Sequence, residues 1–486
     1  MISRFYRGVF FGMIRIQWLR CFMDRQVKLE KKLSPLNVLS LALGCIIGWG
    51  AFVMPGNTFL GKAGPEGTAI AMGIAAVIMV IVSFNYQYLI QKYPIAGGDF
   101  TYAYKAFGEK HAFVCSWFLG LSYLAIVPLN ATALALIGRN LMNNVFQVGF
   151  HYVVAGYDIY LGEVLLAAAA LVLLGWLSIR GVQFTGVFQT ALVFLLVGGV
   201  IIITAAAALN PQVSFASLSP GFFPDVATLS GVLAVVAVAP WAFVGFETIP
   251  QAVEEFKFSP RKTKLIMILS ILFGALVYVV LNTVTAAVVP EGYPGWVEYI
   301  RALPKLDGLL SLPTFHAGYQ LLGSWGLLFL GLAVLGAILS GIIGFYMAAS
   351  RLFYSMAKEK ALPAWFGKLH SEYKTPCNAI VFIMVIALMA PFFGRTALGW
   401  IVDMSSIGAA VGYGYTSQAA FKFARREHNN VIILTSLLGT LFALIFLILL
   451  LVPIPLFNTS LGKESYICFA VWIVLGILFY VFSERR

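Results

Sequence analysis

The chain has 486 residues, 60% of them hydrophobic and only 11% charged, with a net charge of +12. A soluble protein of this length cannot hide that much apolar surface, so the composition points to a polytopic membrane protein built of helices. Its apolar runs match the ~20 residues a helix needs to cross a bilayer, whereas barrel strands would be shorter and would alternate in polarity.

Residues 1–34 are basic and aromatic, with Arg4, Phe5, Tyr6, Arg7, Phe10, Phe11, Arg15, Trp18 and Arg20. They read either as a helix lying in the cytoplasmic interface or as a plain tail. Arg7 and Arg15 break the run 5–18, which is unlike a cleavable signal peptide. Beyond it the sequence predicts twelve spans, at about 36–61, 68–92, 112–138, 160–179, 186–208, 226–255, 263–289, 325–355, 376–393, 398–423, 430–452 and 466–482. Spans 1 to 5 (36–208) and 6 to 10 (226–425) form two candidate halves of a core over 35–425. An odd number of spans per half inverts one half relative to the other. Residues 426–486 add two spans and a short tail.

Each half opens on an interrupted span. In the first, Gly44-Cys45-Ile46-Ile47-Gly48-Trp49-Gly50 weakens the helix. In the sixth, residues 239–255 read APWAFVGFETIPQAVEE, with Pro240, Gly245, Glu247 and Pro250 in an otherwise apolar run. Pro removes a backbone donor and Gly loosens the helix. Irregular backbone survives at membrane depth only inside protein or beside a wet cavity. Paired interrupted spans in corresponding places point to the binding site of a secondary transporter.

Charge placement gives a direction. On this span assignment only Lys62, Arg139, Arg301, Lys305, Arg395 and Lys463 fall on the far side, six of the 32 Lys and Arg, leaving 26 on the side of the N-terminus. The positive-inside bias then puts both termini in the cytoplasm. The basic excess serves topology and contact with the lipid bilayer, and no nucleic-acid partner is expected. Cys21, Cys45, Cys115, Cys377 and Cys468 are scattered without paired metal spacing, so neither a disulfide, a metal site nor a cofactor is expected. Among the loops, 290–324 reads as a lid over the outer vestibule or a surface loop. Residues 97–108 read as a short amphipathic helix beneath the bundle, and 358–370 as a cytoplasmic linker.

Four stretches together resemble the amino acid–polyamine–organocation superfamily of transporters. They are 44–55 (GCIIGWGAFVMP), 94–108 (PIAGGDFTYAYKAFG), 241–255 (WAFVGFETIPQAVEE) with Ser259-Pro260-Arg261 after it, and 350–357 (SRLFYSMA) followed by Leu362-Pro363. The order agrees over residues 36–425. The resemblance implies an all-α, leucine-transporter-like fold of twelve transmembrane helices, with five-plus-five inverted repeats, broken helices 1 and 6, and alternating access.

The candidate substrate-binding residues are Ile46, Ile47, Gly48, Trp49 and Gly50 from span 1, Asn130 from span 3, and Trp241, Phe243, Val244 and Gly245 from span 6. A zwitterion needs donors for its carboxylate and acceptors for its amine, and a broken helix supplies both. The superfamily often has a small hydroxyl residue where Trp49 stands, so a side-chain donor is exchanged for bulk. Trp49 either lines the pocket or packs away from it. By resemblance to an arginine–agmatine antiporter of the superfamily, Trp241 matches a gating aromatic, Asn130 a substrate-proximal asparagine and Glu247 a proton-sensing glutamate. From the residues alone, Trp241 is equally an ordinary core tryptophan and Asn130 a bond to a neighbouring helix.

Glu247 is the acid near the middle of its apolar run, with no Lys or Arg between Arg180 and Lys257. It is either the proton-coupling group or a neutral peg hydrogen-bonded to freed span-1 backbone. Ser340 is considered for a sodium site beside span 1, although such hydroxyls commonly bond their own helix, and the coupling ion stays open between proton and sodium. Glu254 and Glu255 read as a solvated face or as inner-gate partners of Lys105, Lys110 or Arg261. Asp403 reads as a structural partner near the outer surface. The expected function is amino acid transport across the cell membrane, by proton symport or exchange. A polyamine or organic amine carrier is the alternative, and a membrane sensor or enzyme on the same scaffold is the different-class reading. No catalytic cluster supports an enzyme.

Overall fold

A computed structural model of the protein describes residues 28–142, 144–211, 213, 215–454 and 461–484. The expected interfacial helix and Cys21 lie outside the described residues. The order is α1 (Pro35–Ile46), α2 (Gly50–Met54), α3 (Gly61–Lys92), α4 (Gly98–Phe107), α5 (Glu109–Leu141), β1 (His151–Val154), β2 (Tyr157–Tyr160), α6 (Leu161–Ile179), α7 (Val182–Leu209), α8 (Thr228–Val236), α9 (Ala239–Ala242), α10 (Thr248–Gln251), α11 (Thr263–Ala287), α12 (Trp296–Ala302), α13 (Pro313–Leu322), α14 (Ser324–Lys358), α15 (Cys377–Met389), α16 (Gly394–Arg426), α17 (Asn430–Leu451) and α18 (Lys463–Glu484). Among the described residues, nine helices are long and apolar enough to cross a membrane. Large apolar side chains such as Leu434, Ile467 and Phe194 stand exposed on their outer faces, an arrangement that water penalises and hydrocarbon does not.

Local chemistry sets where the helices start and stop. Ser34 caps α1: its Oγ accepts the Asn37 N–H at 3.2 Å while Asn37 Oδ1 accepts the Ser34 N–H at 3.1 Å, with Pro35 in the first turn. The helix ends at Ile47, whose φ and ψ of −90° and 69° are not helical. A second short helix restarts at Gly50 and passes through a π-helical turn, Pro55–Leu60, into α3. Instead of an extended loop between the first two spans there is a kink inside α3, at Gly64 (φ 72°) before Pro65.

The sixth run is broken more thoroughly, into α8, α9, α10 and a 3₁₀ turn at Val253–Glu255. Pro240 and Pro250 lack donors, and Gly245 has φ +146°, a region L side chains rarely adopt.

Two expectations need correction. The 290–324 connection is not a plain surface loop. It folds into α12 and α13 with Trp296, Tyr299 and Phe315 buried. The fold is also not wholly α, because β1 and β2 pair antiparallel, His151 opposite Tyr160. That hairpin is tied to the bundle by Arg139 Nη2, which donates to the Asp158 carbonyl at 2.5 Å.

Candidate functional site

The two interruptions meet. A Cβ placed on Gly245 would lie 2.7 Å from Cys45 Cβ and 2.8 Å from the Ile46 nitrogen, so the left-handed turn of the sixth run rests directly on the end of α1. Around this contact lies a small, partly open cavity of about 30 Å³. Ile46, Gly48, Trp49, Gly50, Asn130, Trp241 and Val244 line it, with Cys45, Ile126, Leu129, Tyr278 and Phe345. Ile47, Phe243 and Gly245 are not among the lining residues: Ile47 and Phe243 are fully buried, and Gly245 serves the contact between the breaks.

The lining brings backbone and side-chain polar groups together. At the start of α2 the Ala51 N–H donates to the Gly48 carbonyl at 3.1 Å and the Phe52 N–H to the Trp49 carbonyl at 3.0 Å. Opposite them, the Ile46 carbonyl at the end of α1 accepts only a long bond, 3.4 Å, from Tyr278 Oη. Asn130 Nδ2 donates to the Ile126 carbonyl of its own helix at 2.9 Å, and its Oδ1 is buried without a partner.

Above the cavity lies a vestibule of about 490 Å³, bounded by Lys62, Val238, Arg395, Asp403 and Ser406 among others. Trp49, Trp241 and Leu129 line both spaces, so they form the partition between them. The Trp241 indole covers Gly50 so closely that a Cβ there would fall 2.4 Å from its ring edge.

Glu247 sits just behind the cavity, wholly buried. Its Oε2 accepts the Gly245 N–H at 2.8 Å, a bond within its own span rather than to the freed backbone of span 1. Its Oε1 has no hydrogen-bond partner among the described residues, although the Tyr413 phenol and the Cys45 thiol stand near enough to interact with the carboxyl. Tyr123 Oη donates to the Glu247 backbone carbonyl at 3.4 Å.

Several participants lay outside the sequence reading. Asp99, in the stretch expected as a short amphipathic helix beneath the bundle, is buried in α4. Its Oδ1 accepts from Tyr86 Oη at 2.5 Å and Thr416 Oγ1 at 2.7 Å, and its Oδ2 from Gln251 Nε2 at 3.3 Å. A ring cluster of Tyr86, Phe246 and Tyr413 joins it to the Glu247 neighbourhood. Gln189 Nε2 donates to the Ser340 carbonyl at 3.1 Å and the Ser40 carbonyl at 3.5 Å. Ser340 Oγ itself donates to the Ala337 carbonyl at 3.1 Å and the Gly44 carbonyl at 3.4 Å.

At the end of the bundle away from the vestibule, Glu255 pairs with Arg351, not with Lys105, Lys110 or Arg261. Arg351 Nε donates to Oε1 at 2.9 Å and Nη2 to Oε2 at 3.2 Å, both side chains being about 1% exposed. Glu254 Oε1 accepts the Ala96 N–H at 3.1 Å. The Leu33 N–H donates to the Glu255 carbonyl at 2.9 Å, and Lys257 N–H returns a bond to the Leu33 carbonyl. These contacts tie this end together. The signal for Arg351 was present, a basic residue inside the apolar stretch SRLFYSMA, but its partner is 96 positions away.

Residues 33–479 match the sequence model of a family described as amino acid permease. The chain is 25% identical to the methylthioribose transporter of Bacillus subtilis (strain 168), covering 95% of each chain. It is 24% identical to the branched-chain amino acid permease BcaP of the same organism, over 99% of this chain and 98% of that one. It is 26% identical to the vacuolar cationic amino acid transporter 4 of Arabidopsis thaliana, over 80% of this chain and 62% of the relative.

Proposed function

The chain belongs to the amino acid permease family, within the amino acid–polyamine–organocation superfamily, and from that premise we propose that it is a secondary transporter moving amino acids across the cell membrane by alternating access. In this reading the nine long apolar helices, the two broken runs and α16 make twelve spans, arranged as inverted halves over 36–208 and 226–425 followed by two further helices. Both termini face the cytoplasm, and the vestibule opens outward. The carrying observation is the meeting of the two breaks: Gly245 lies against Ile46, and half-helix ends converge on a cavity with a free amide oxygen from Asn130. Backbone donors would take the carboxylate, and carbonyls with Asn130 the amine. Trp241 covers the site from the vestibule.

The relatives are named for branched-chain amino acids, cationic amino acids and methylthioribose, so membership alone leaves the side chain of the substrate open. The test is uptake and counterflow in proteoliposomes over the twenty natural amino acids and common polyamines. Saturable counterflow of at least one amino acid is expected. Its absence for every compound defeats the carrier reading.

Proton rather than sodium is the coupling ion we favour. Gln189 already supplies a neutral donor to the carbonyls between span 1 and span 8, which leaves little for a cation to take up there. Among the described residues Glu247 is buried without a cationic partner, and its Oε1, with the Tyr413 phenol and the Cys45 thiol as neighbours, can carry a proton. A Glu247→Gln variant is expected to bind substrate as before but to lose the pH dependence of transport. A wild-type protein whose transport is flat from about pH 5 to 8, the range in which a buried carboxyl can titrate, would remove the coupling role.

A further inference from the structure

Arg395 lies in the first turn of α16 and borders the vestibule. Its guanidinium stands 4.5 Å from the centroid of the Trp49 ring, and Nη1 donates to Thr132 Oγ1 at 3.3 Å. Among the described residues no carboxylate comes within ion-pair distance of it. Glu163, which borders an adjoining crevice with Arg395, is already engaged by Arg139 through Nε at 2.5 Å and Nη2 at 2.6 Å. That pair neutralises itself and leaves the charge of Arg395 uncompensated.

The position is unfavourable for a cation. A helix N-terminus carries partial positive charge and repels it, and Arg139 is near enough to add repulsion. Lys62, the second cation on the vestibule wall, makes no ion pair among the described residues. The acid on that wall, Asp403, accepts from Ser465 Oγ at 2.9 Å. Two cations therefore face one carboxylate across a space wide enough for a small zwitterion. A guanidinium placed over an aromatic ring by cation–π attraction keeps edge N–H groups for a planar anion, and its fork geometry suits a carboxylate best.

We propose that Arg395, held over Trp49, is the carboxylate-recognising group of an outer subsite in the vestibule, and that the transported molecule accordingly bears a carboxylate and no net positive charge. Neutral or acidic amino acids fit this site; cationic amino acids and polyamines do not. Trp49 then has two duties, as wall of the inner cavity and as platform for Arg395. The proposal deepens the transport reading and rests on it.

The experiment exploits sidedness, because the vestibule opens at one end only. Wild type, Arg395→Gln and Arg395→Lys are compared in oriented proteoliposomes. The probes are the amino acid with the fastest counterflow and, as external competitor, its amide, which lacks the carboxylate. Arg395→Gln is expected to raise the external KM about tenfold or more, the scale of one charge-assisted hydrogen bond. The internal KM and the maximal rate should stay within about twofold, about a third of that free energy or less. Arg395→Lys should recover part of the loss. On wild type the amide should compete far more weakly than the acid, with a smaller gap on Arg395→Gln. A pin that merely holds α16 in place would alter both faces alike, and that result overturns the proposal. So does a cationic amino acid or polyamine emerging as the best substrate.

A wild-type protein with no counterflow at all would instead refute the transport reading. The subsite is then judged by binding, with L-leucine and leucinamide in thermal unfolding of the solubilised protein. Greater stabilisation by leucine, lost in Arg395→Gln, supports it; equal stabilisation overturns it.

Discussion

Gly50 and Gly245 are both glycines at the breaks, yet their surroundings predict different failures. A methyl at Gly50 meets only the outer edge of the Trp241 indole, at 2.4 Å. A side chain can swing away, so the fold survives and the partition between vestibule and cavity is displaced. A methyl at Gly245 meets backbone at 2.8 Å on a residue with φ +146°, and neither the clash nor the dihedral can relax without moving α1. Strained positions of that kind cost about 1–3 kcal/mol each. Gly50→Ala should therefore keep its melting temperature within a few degrees and lose transport affinity, whereas Gly245→Ala should lose folded protein. Size-exclusion profiles and melting curves beside uptake kinetics separate the two. The sequence located both glycines, since Gly and Pro in an apolar run are visible without coordinates. It did not separate Ile47, Phe243 and Gly245 from the residues that line the cavity, because facing within an irregular turn follows from its dihedrals, not from any periodicity. Arg395 was counted only as a far-side charge. Its position over Trp49 depends on elements almost 350 residues apart, as the numbers themselves show.

Broken helices were the most legible elements, and the ends that hold the bundle shut were the least. The pair Arg351–Glu255 joins α14 to the last turn of the sixth run, and nothing in composition couples them. Breaking a buried pair from one side leaves a naked charge and costs roughly 3–5 kcal/mol, while a well-packed apolar replacement of both partners is often neutral. Arg351→Ala should thus lower stability strongly, and the double change Arg351→Met with Glu255→Leu should recover most of it in thermal unfolding. A second tie behaves differently. Lys92 and Tyr88 of α3 both donate to Glu427, just past α16, with Tyr88 Oη at 2.6 Å. The Lys92 ammonium first, and then the Tyr88 hydroxyl, hold the Glu427 carboxyl below its ordinary value of 4.5. A depressed carboxyl contributes stability above its unfolded pKa and loses it as pH falls through the folded one. The Glu427→Gln variant should therefore be slightly less stable than wild type at neutral pH and equal to it once the pH is well below 4.5. The site is solvent-exposed, so added salt should shrink the difference.

For the molecule as a whole, the two ends differ in kind. One holds a vestibule of about 490 Å³; the other, where a recess of about 380 Å³ reaches Glu255, is tied by Arg351–Glu255 and by the Leu33 backbone bridge to the same segment. The cavity between them is small, about 30 Å³, so the proposed substrate is expected to displace Trp49 or Trp241 to be held there. A carrier with two such states shifts between them only as far as the difference in their free energies allows. Arg351–Glu255 exists in the state described and must part for the opposite end to open. The Met and Leu double change keeps this end packed and would expose apolar side chains on opening, whereas the ions would be solvated, so it should lower the population of the opposite state. Val238, on the vestibule wall, reports this directly. In a background free of reactive cysteines, Val238→Cys should react with an impermeant maleimide added from the vestibule side, and substrate should slow the reaction as Trp241 closes over it. The Met and Leu double change should speed it in the absence of substrate, because the vestibule is then open for a larger fraction of the time. Equal labelling rates with and without that change would mean that the pair only anchors the fold and takes no part in the exchange between states.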